Sequence, residues 1–217
     1  MKLYAVVGSG NCRKVQATIN HLGLDVEVEY LDFLAGDLQK PQFLAINPNG
    51  KVPTLTDGTF NLSESNAIMQ YLADQVRGNT LFPKDPQTRA DIVRWQCWEL
   101  AHYNNAFATL ALETILKPQY MHIDPNQALV VSAQENLAQF AGVLDAHLAT
   151  WDYVVGKAVT LADYSVIYFE GFKHMIPFDW SAYPRVNAYY ERMGAVPHWA
   201  STAPASPAAI GRKPNAA

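Results

Sequence analysis

The chain has 217 residues, 49% apolar and 17% charged, with a formal net charge of -4. This length holds one large domain or two small ones with a substantial core. Neither Lys nor Arg clusters along any segment, which argues against a nucleic-acid or anionic-membrane surface, and no apolar run approaches a membrane span.

Cys12 and Cys97 are too few and too far apart for a disulfide framework or a Cys-x-x-Cys pair. Asn11, Arg13 and Lys14 follow the first apolar residues too soon for a signal-peptide core, so a reducing cytoplasm is the expected location. Residues 2 to 7 read as a buried strand and Gly8-Ser9-Gly10-Asn11 as a turn. From Cys12 the pattern is helical, with Val15, Ile19 and Leu22 on one face and Gly23 as the stop. Val26 to Leu31 alternates as a second strand, Val26, Val28 and Tyr30 on one side and Glu27 and Glu29 on the other. Strand, helix and strand in this order begin a parallel crossover.

Asp32 to Leu44 is mixed, a loop with one short helix. Asn47 to Ile68 then runs from a loop rich in Asn, Pro and Gly through a Val52-Pro53 step to a strand ending at Asp57-Gly58. A second strand follows, ending at Ser63-Glu64-Ser65, and then an apolar helix. That helix spans Ser65 to Gln75 with Ile68, Tyr71 and Leu72 inward. The domain expectation is a first domain at 1–77, a linker at 78–87 marked by Gly78, Pro83 and Pro86, an all-helical domain at 88–200 and an Ala/Pro-rich tail at 201–217, loosely docked or disordered.

In the helical part, Thr88 to Leu116 reads as one long or bent helix. Val93, Cys97, Leu100, Phe107 and Ala111 form its stripe, Ile92, Trp95 and Trp98 broaden it, and Pro118 stops it. Leu137, Ala141, Leu144 and Leu148 make the seam of the next helix. Thr160 and Asp163 form a variant capping box before Leu161 to Phe172, a run apolar on most sides, as a helix at the centre of a bundle is.

Two parts of Asn47 to Ile68 suit a small peptide-like anion. A cis Val52-Pro53 bond leaves the main chain of Val52 to pair with an extended ligand, and the helix start at Ser65 offers N–H groups and a hydroxyl to a carboxylate. Asn47-Pro48-Asn49-Gly50-Lys51-Val52-Pro53-Thr54-Leu55, Glu64-Ser65-Asn66-Ala67-Ile68 and Tyr71-Leu72-Ala73 resemble the glutathione site of soluble glutathione transferases. Ser9-Gly10-Asn11-Cys12-Arg13-Lys14-Val15 resembles the Ser-x-x-Cys-Arg-x-Val setting of the bacterial and theta-like branch. The Thr160-Leu161-Ala162-Asp163 cap after Gly156 extends the likeness to about Trp199.

The resemblance implies an α/β thioredoxin-like first domain, with a mixed four-stranded sheet in βαβ-ββα order, and an all-α second domain, usually in a homodimer. It implies glutathione as co-substrate, with Ser9 donating to the glutathione sulfur and Asn11 and Cys12 as rivals. Val52, Pro53, Glu64 and Ser65 hold the peptide, while Lys51 and Gln39 are candidates for its glycine carboxylate. Leu38-Gln39 stand where related enzymes often have His-Lys, so Gln39 is a neutral substitute. His102, Tyr103, Phe107 and Tyr164 are the second-substrate candidates, expected between the domains against the long helix. Each has a plain structural use as well: Ser9 and Ser65 as helix caps, Asn11 as a turn residue, Cys12 and the aromatics as core.

The six His residues form no i, i+4 pair and no Cys partners them, so no metal is expected. Gly8-Ser9-Gly10 is not a dinucleotide fingerprint, because Arg13 takes the place of the third glycine. The expected function is transfer of an electrophilic apolar group to the glutathione thiolate, as in detoxification. The alternatives are thiol oxidoreduction or deglutathionylation through Cys12, and non-catalytic ligand binding on the same fold.

Overall fold

Leu3 and Ala5 are fully buried while Lys2 and Tyr4, which alternate with them, are not, the period of a strand with one face on a core. In the computed structural model, which describes residues 1–214, that strand is β1, Lys2–Ala5. It stops short of the expected Val7 because Val6 turns into the next element. The Val6 N–H donates to Cys12 Sγ at 3.5 Å and its C=O accepts from Ser9 N–H at 3.2 Å. Helix α1, Gly10–Leu22, begins there and ends at Gly23 in left-handed conformation. Strands β2, Glu27–Tyr30, β3, Thr54–Asp57, and β4, Phe60–Ser63, complete a four-stranded sheet in the order β2-β1-β3-β4.

Strand β1 is parallel to β2 and antiparallel to β3, with Leu3 opposite Val28 on one side and Leu55 on the other. Helix α2, Pro41–Leu44, lies between β2 and β3 in sequence, and α3, Ser65–Asp74, follows β4. Helices α1 and α3 pack on each other, burying Val15, Ile68 and Leu72. Tyr4 faces the opposite way, its ring centroid 5.8 Å from that of Phe43 in α2. There Val6, Leu31, Leu38 and Phe43 make a second small core against which Val52 packs, fixing the loop before β3 to the sheet.

The chain divides into two units, residues 1–83 with the chain from Ala195 onward, and residues 84–194. The helical domain therefore ends before the expected residue 200. The Ala/Pro-rich stretch, as far as Pro214, belongs to the first unit, where the Gly211 N–H bonds the Val7 C=O at 3.0 Å. Three residues of the expected tail, 215–217, lie outside the described residues. The linker is anchored: the Asn79 side chain donates to the carbonyls of Ala73 and Val76 and accepts from Phe82 N–H.

In the second unit α4, Pro86–Trp98, starts on Asp85, whose side chain accepts from Thr88 N–H, and absorbs the last two residues of the expected linker. The expected single helix is interrupted by a π turn at Glu99–Tyr103, resumes as α5, Asn104–Ala111, and widens again at Leu112–Met121. Pro118 does not stop it. The proline sits inside the wide segment, where i→i+5 bonding relieves the clash an α turn would impose, and the chain ends its climb at His122, φ 56°. The buried face of α4 agrees with expectation at Ile92 and Trp95 and departs from it at Gln96, which is inside, and at Cys97, which is exposed, as is Leu100 in the π turn that follows. A polar Gln96 inside and an apolar Leu100 outside defeat a reading by hydrophobic period.

Helix α6, Gln127–His147, buries the expected seam of Leu137, Ala141, Leu144 and Leu148. The α-helix at the bundle centre, α7, is only Leu161–Val166, every residue buried. A looser turn follows and becomes a 3-10 helix at Glu170–Met175, which contains Gly171. Helices α8, Pro184–Gly194, and α9, Pro197–Ala200, follow, and a 3-10 helix at Pro207–Ala209 comes after them. Among the described residues, no helix is long and apolar enough to cross a membrane.

Candidate functional site

The loop before β3 is built on Asn47, which is buried. Its Nδ2 donates to the Lys51 C=O and to Thr54 Oγ1, both at 2.9 Å, and its Oδ1 accepts from Asn49 N–H at 3.1 Å. Thr54 Oγ1 donates to the same Lys51 carbonyl at 3.0 Å. These contacts hold the turn that leads into Val52-Pro53, whose peptide bond is cis. Gly50 is required by the turn: at φ +58°, a Cβ there would lie 2.9 Å from Gln39 Nε2 and 3.1 Å from the Leu38 carbonyl. That approach places Gln39, exposed, beside the residue preceding exposed Lys51. Asn47 and Thr54 were not predicted as site residues, though the Asn-x-Asn-Gly spelling of a side-chain-closed turn was a usable signal.

Two helix starts converge next to this loop. Ser9 is the N-cap of α1, its Oγ accepting from Cys12 N–H at 3.4 Å. Ser65 opens α3, and its Oγ donates to Asn11 Oδ1 at 3.3 Å. Glu64, which precedes it, has φ 69° and ψ 109°, a conformation costly for a non-glycine residue and usually kept where a site over-determines it. Its side chain is exposed and makes no capping bond. The first turns of both helices carry partial positive charge at this junction, which therefore suits an anion.

Cys12 lies in the core, 1% exposed, and burial pushes its thiol up to about 11 against the Ser9 hydroxyl and Val6 N–H that hold it down. At neutral pH it is a neutral thiol without access, while Cys97 on α4 is exposed. Brief treatment of the native protein with iodoacetamide is expected to label Cys97 and leave Cys12 intact, as read by peptide mass spectrometry; labelling of both at equal rates would contradict the burial of Cys12. Arg13 is also buried, its guanidinium 4.2 Å from the Trp199 ring and its Nε donating to Thr202 Oγ1 at 3.1 Å. In this fold Arg13 therefore holds the returning C-terminal segment.

In the second unit, three of the four predicted aromatic or His candidates are interior. Tyr103 and Tyr164 are 0% exposed and Phe107 is 6% exposed, stacked on Phe169 with centroids 4.1 Å apart. The Tyr103 hydroxyl accepts from that of Tyr190 at 3.1 Å. His102 is exposed and stacks on Phe140 at 5.1 Å. Among the described residues, no group of three or more His, Cys, Asp or Glu could hold a metal ion.

Residues 3–80 match the family model described as glutathione S-transferase, N-terminal domain, and residues 99–192 the one described as glutathione S-transferase, C-terminal domain. The chain is 32% identical over 212 residues to glutathione S-transferase 3 of Zea mays, covering 95% of each chain. It is 32% identical over 205 residues to a glutathione S-transferase of Hyoscyamus muticus, covering 92% of this chain and 95% of that protein. Among solved structures it superposes with a TM-score of 0.82 on the theta class glutathione S-transferase of Xanthomonas axonopodis pv. citri with glutathione bound. There the identity is 26%, with 94% of this chain and 97% of that chain covered.

Proposed function

We propose that this chain, which belongs to the glutathione transferase family, binds glutathione along Lys51 to Ser65 of its first unit and activates the thiol through Ser9. It is a glutathione transferase enzyme with a thioredoxin-like domain followed by a helical one. The observation that carries the reading is the bond from Ser65 to Asn11, which draws the starts of α3 and α1 together beside the Val52 loop. The γ-glutamyl carboxylate, a stronger acceptor than Asn11 Oδ1, takes the Ser65 hydroxyl from it together with the first turn of α3, with exposed Glu64 countering the ammonium group. The peptide backbone pairs with the main chain of Val52, for which, among the described residues, no hydrogen-bond partner is found. Lys51 and Gln39 take the glycine carboxylate.

Ser9 has one proton to donate. In the free protein its hydroxyl faces the neutral Cys12 thiol, and a thiolate is the stronger acceptor, so the sulfur of bound glutathione takes over that hydrogen bond while the proton stays on Ser9. Free thiols of pKa about 8.5 are only a few per cent ionised at neutral pH; a drop of roughly two units, about 2.7 kcal/mol, makes the thiolate dominant. One charge-assisted hydrogen bond and a helix N-terminus supply energy of that order. The thiolate then attacks an apolar electrophile, and exposed His102 is the candidate of the four that is open to a substrate. Cys12 is the weaker reading for the sulfur chemistry because it is buried and neutral. The Ser-x-x-Cys-Arg-x-Val resemblance supports a reading in which the chain is of the bacterial and theta-like kind and works as a cytoplasmic homodimer in detoxification.

Ser65→Ala is expected to weaken glutathione binding roughly tenfold, the loss of one hydrogen bond to a carboxylate, with little change in turnover at saturation. Isothermal titration checks it, and an unchanged Kd would remove Ser65 from the site. A crystal structure with glutathione bound tests the whole reading: Ser9 Oγ is expected nearest the sulfur, and Cys12 Sγ or Asn11 in that position would replace it.

A further inference from the structure

The C-terminal segment is tied to α1 at one end and to the loop carrying Ser9 at the other. After the Arg13 contacts with Trp199 and Thr202, Asn20 Nδ2 donates to Ser201 Oγ at 3.1 Å. The segment then spans a cavity of about 590 Å³ whose walls include Gln16, Val28 and Tyr30. It lands again at Ile210 and Gly211. There the Gly211 N–H donates to the Val7 carbonyl at 3.0 Å and the Gly211 carbonyl accepts from Phe33 N–H at 2.8 Å, bridging the ends of β1 and β2.

Gly8, buried and at φ +80°, stands directly before Ser9, and a Cβ on it would lie 2.9 and 3.0 Å from the two γ carbons of Ile210. A glycine at this hinge has no side chain of its own to resist rotation, and rotation about Gly8 swings the Ser9 hydroxyl. The resistance has to come from outside the loop. We propose that Ile210 and Gly211 are positioning residues for Ser9, the Ile210 side chain filling the space over Gly8 and the Gly211 backbone fixing Val7, so that the hydroxyl is held where the sulfur arrives. This rests on the role given to Ser9 above.

The contact is made by the two γ carbons, which Ile210→Ala removes and Ile210→Val keeps. The test is ultraviolet titration of the thiolate of glutathione bound to the full chain, together with kcat and KM against pH. Ile210→Ala is expected to raise the bound thiol pKa by about half a unit or more, lowering kcat/KM at neutral pH roughly threefold, with the KM for glutathione little changed. Ile210→Val is expected to restore the original values. Partial unfolding lowers the amplitude of the titration and leaves its midpoint in place, so a destabilised variant still gives an answer. A midpoint unmoved in Ile210→Ala, or moved equally in Ile210→Val, overturns the proposal. Ser9→Ala in the same assay separates the two ideas: if it shifts the midpoint and Ile210→Ala does not, Ser9 keeps its role and the positioning role of Ile210 fails. If Ser9→Ala leaves the midpoint unmoved, the Ser9 reading itself fails.

Discussion

Ser9→Ala is expected to raise the pKa of protein-bound glutathione by one to two units and to lower kcat/KM at neutral pH roughly ten- to a hundredfold. The direction follows from the sign of the interaction. A donor to the thiolate lowers the thiol pKa, so removing it moves the rising limb of the pH profile to higher pH, and the loss shrinks as pH approaches about 8.5. Ser9 also caps α1, and losing a cap costs about 1 kcal/mol of stability, which complicates a comparison made with Ala alone. Ser9→Asp separates the two jobs. Its carboxylate can accept from Cys12 N–H as the hydroxyl does, yet it has no proton to give at neutral pH and repels a thiolate. The expected result is near-normal melting with activity at or below that of Ser9→Ala, and Ser9→Thr retaining much of both. An unchanged thiol pKa in Ser9→Ala would remove the role assigned to it.

What could be read from the sequence was what local chemistry determines. The strand-helix-strand start, the Gly23 stop and the paired strands around Asp57-Gly58 each follow from residues within a few positions of one another. The capping box at Thr160 and Asp163 does too. The loop from Asn47 to Pro53 was legible because its Asn, Gly and Pro residues close the turn by themselves. What failed depended on distant parts of the chain. Pro118 reads as a stop unless the helix around it is already widened, and the exposed side of α4 is set by a buried Gln96 that bonds Ser165 at 3.3 Å, sixty-nine residues away. The Ala/Pro-rich stretch looked like a loose tail because its anchor points, Arg13, Val7 and Phe33, lie at the other end of the chain. Arg13 shows the same limit from the opposite side: its place in a motif said where it stands, and only the fold revealed Trp199 and Thr202 as its partners.

Asp163→Ala is expected to destabilise the helical unit by about 3–5 kcal/mol and to lower its melting temperature by roughly ten degrees or more. The carboxylate is fully buried and accepts four hydrogen bonds. Its partners are Val154 N–H at 2.8 Å, Thr160 N–H at 2.8 Å, Thr160 Oγ1 at 2.9 Å and Tyr189 OH at 3.1 Å. Truncation leaves two backbone N–H groups buried without an acceptor, whereas the hydroxyls can turn elsewhere, so the N–H groups dominate the cost. Burial pushes the Asp163 carboxyl up to about 6, against the four donors that hold it down. An acid whose pKa is raised on folding adds most stability below its unfolded pKa and loses it as pH rises through the folded value, here between about pH 4 and 6. The stability difference between the native chain and Asp163→Asn, which does not titrate, should therefore shrink by up to about 3 kcal/mol over that window. The protonated form is not starved of partners, because Thr160 and Tyr189 hydroxyls can rotate from donating to accepting. Denaturant melts of both chains from pH 4 to 7 measure the difference, and a gap that widens with rising pH would mean that the four donors outweigh burial.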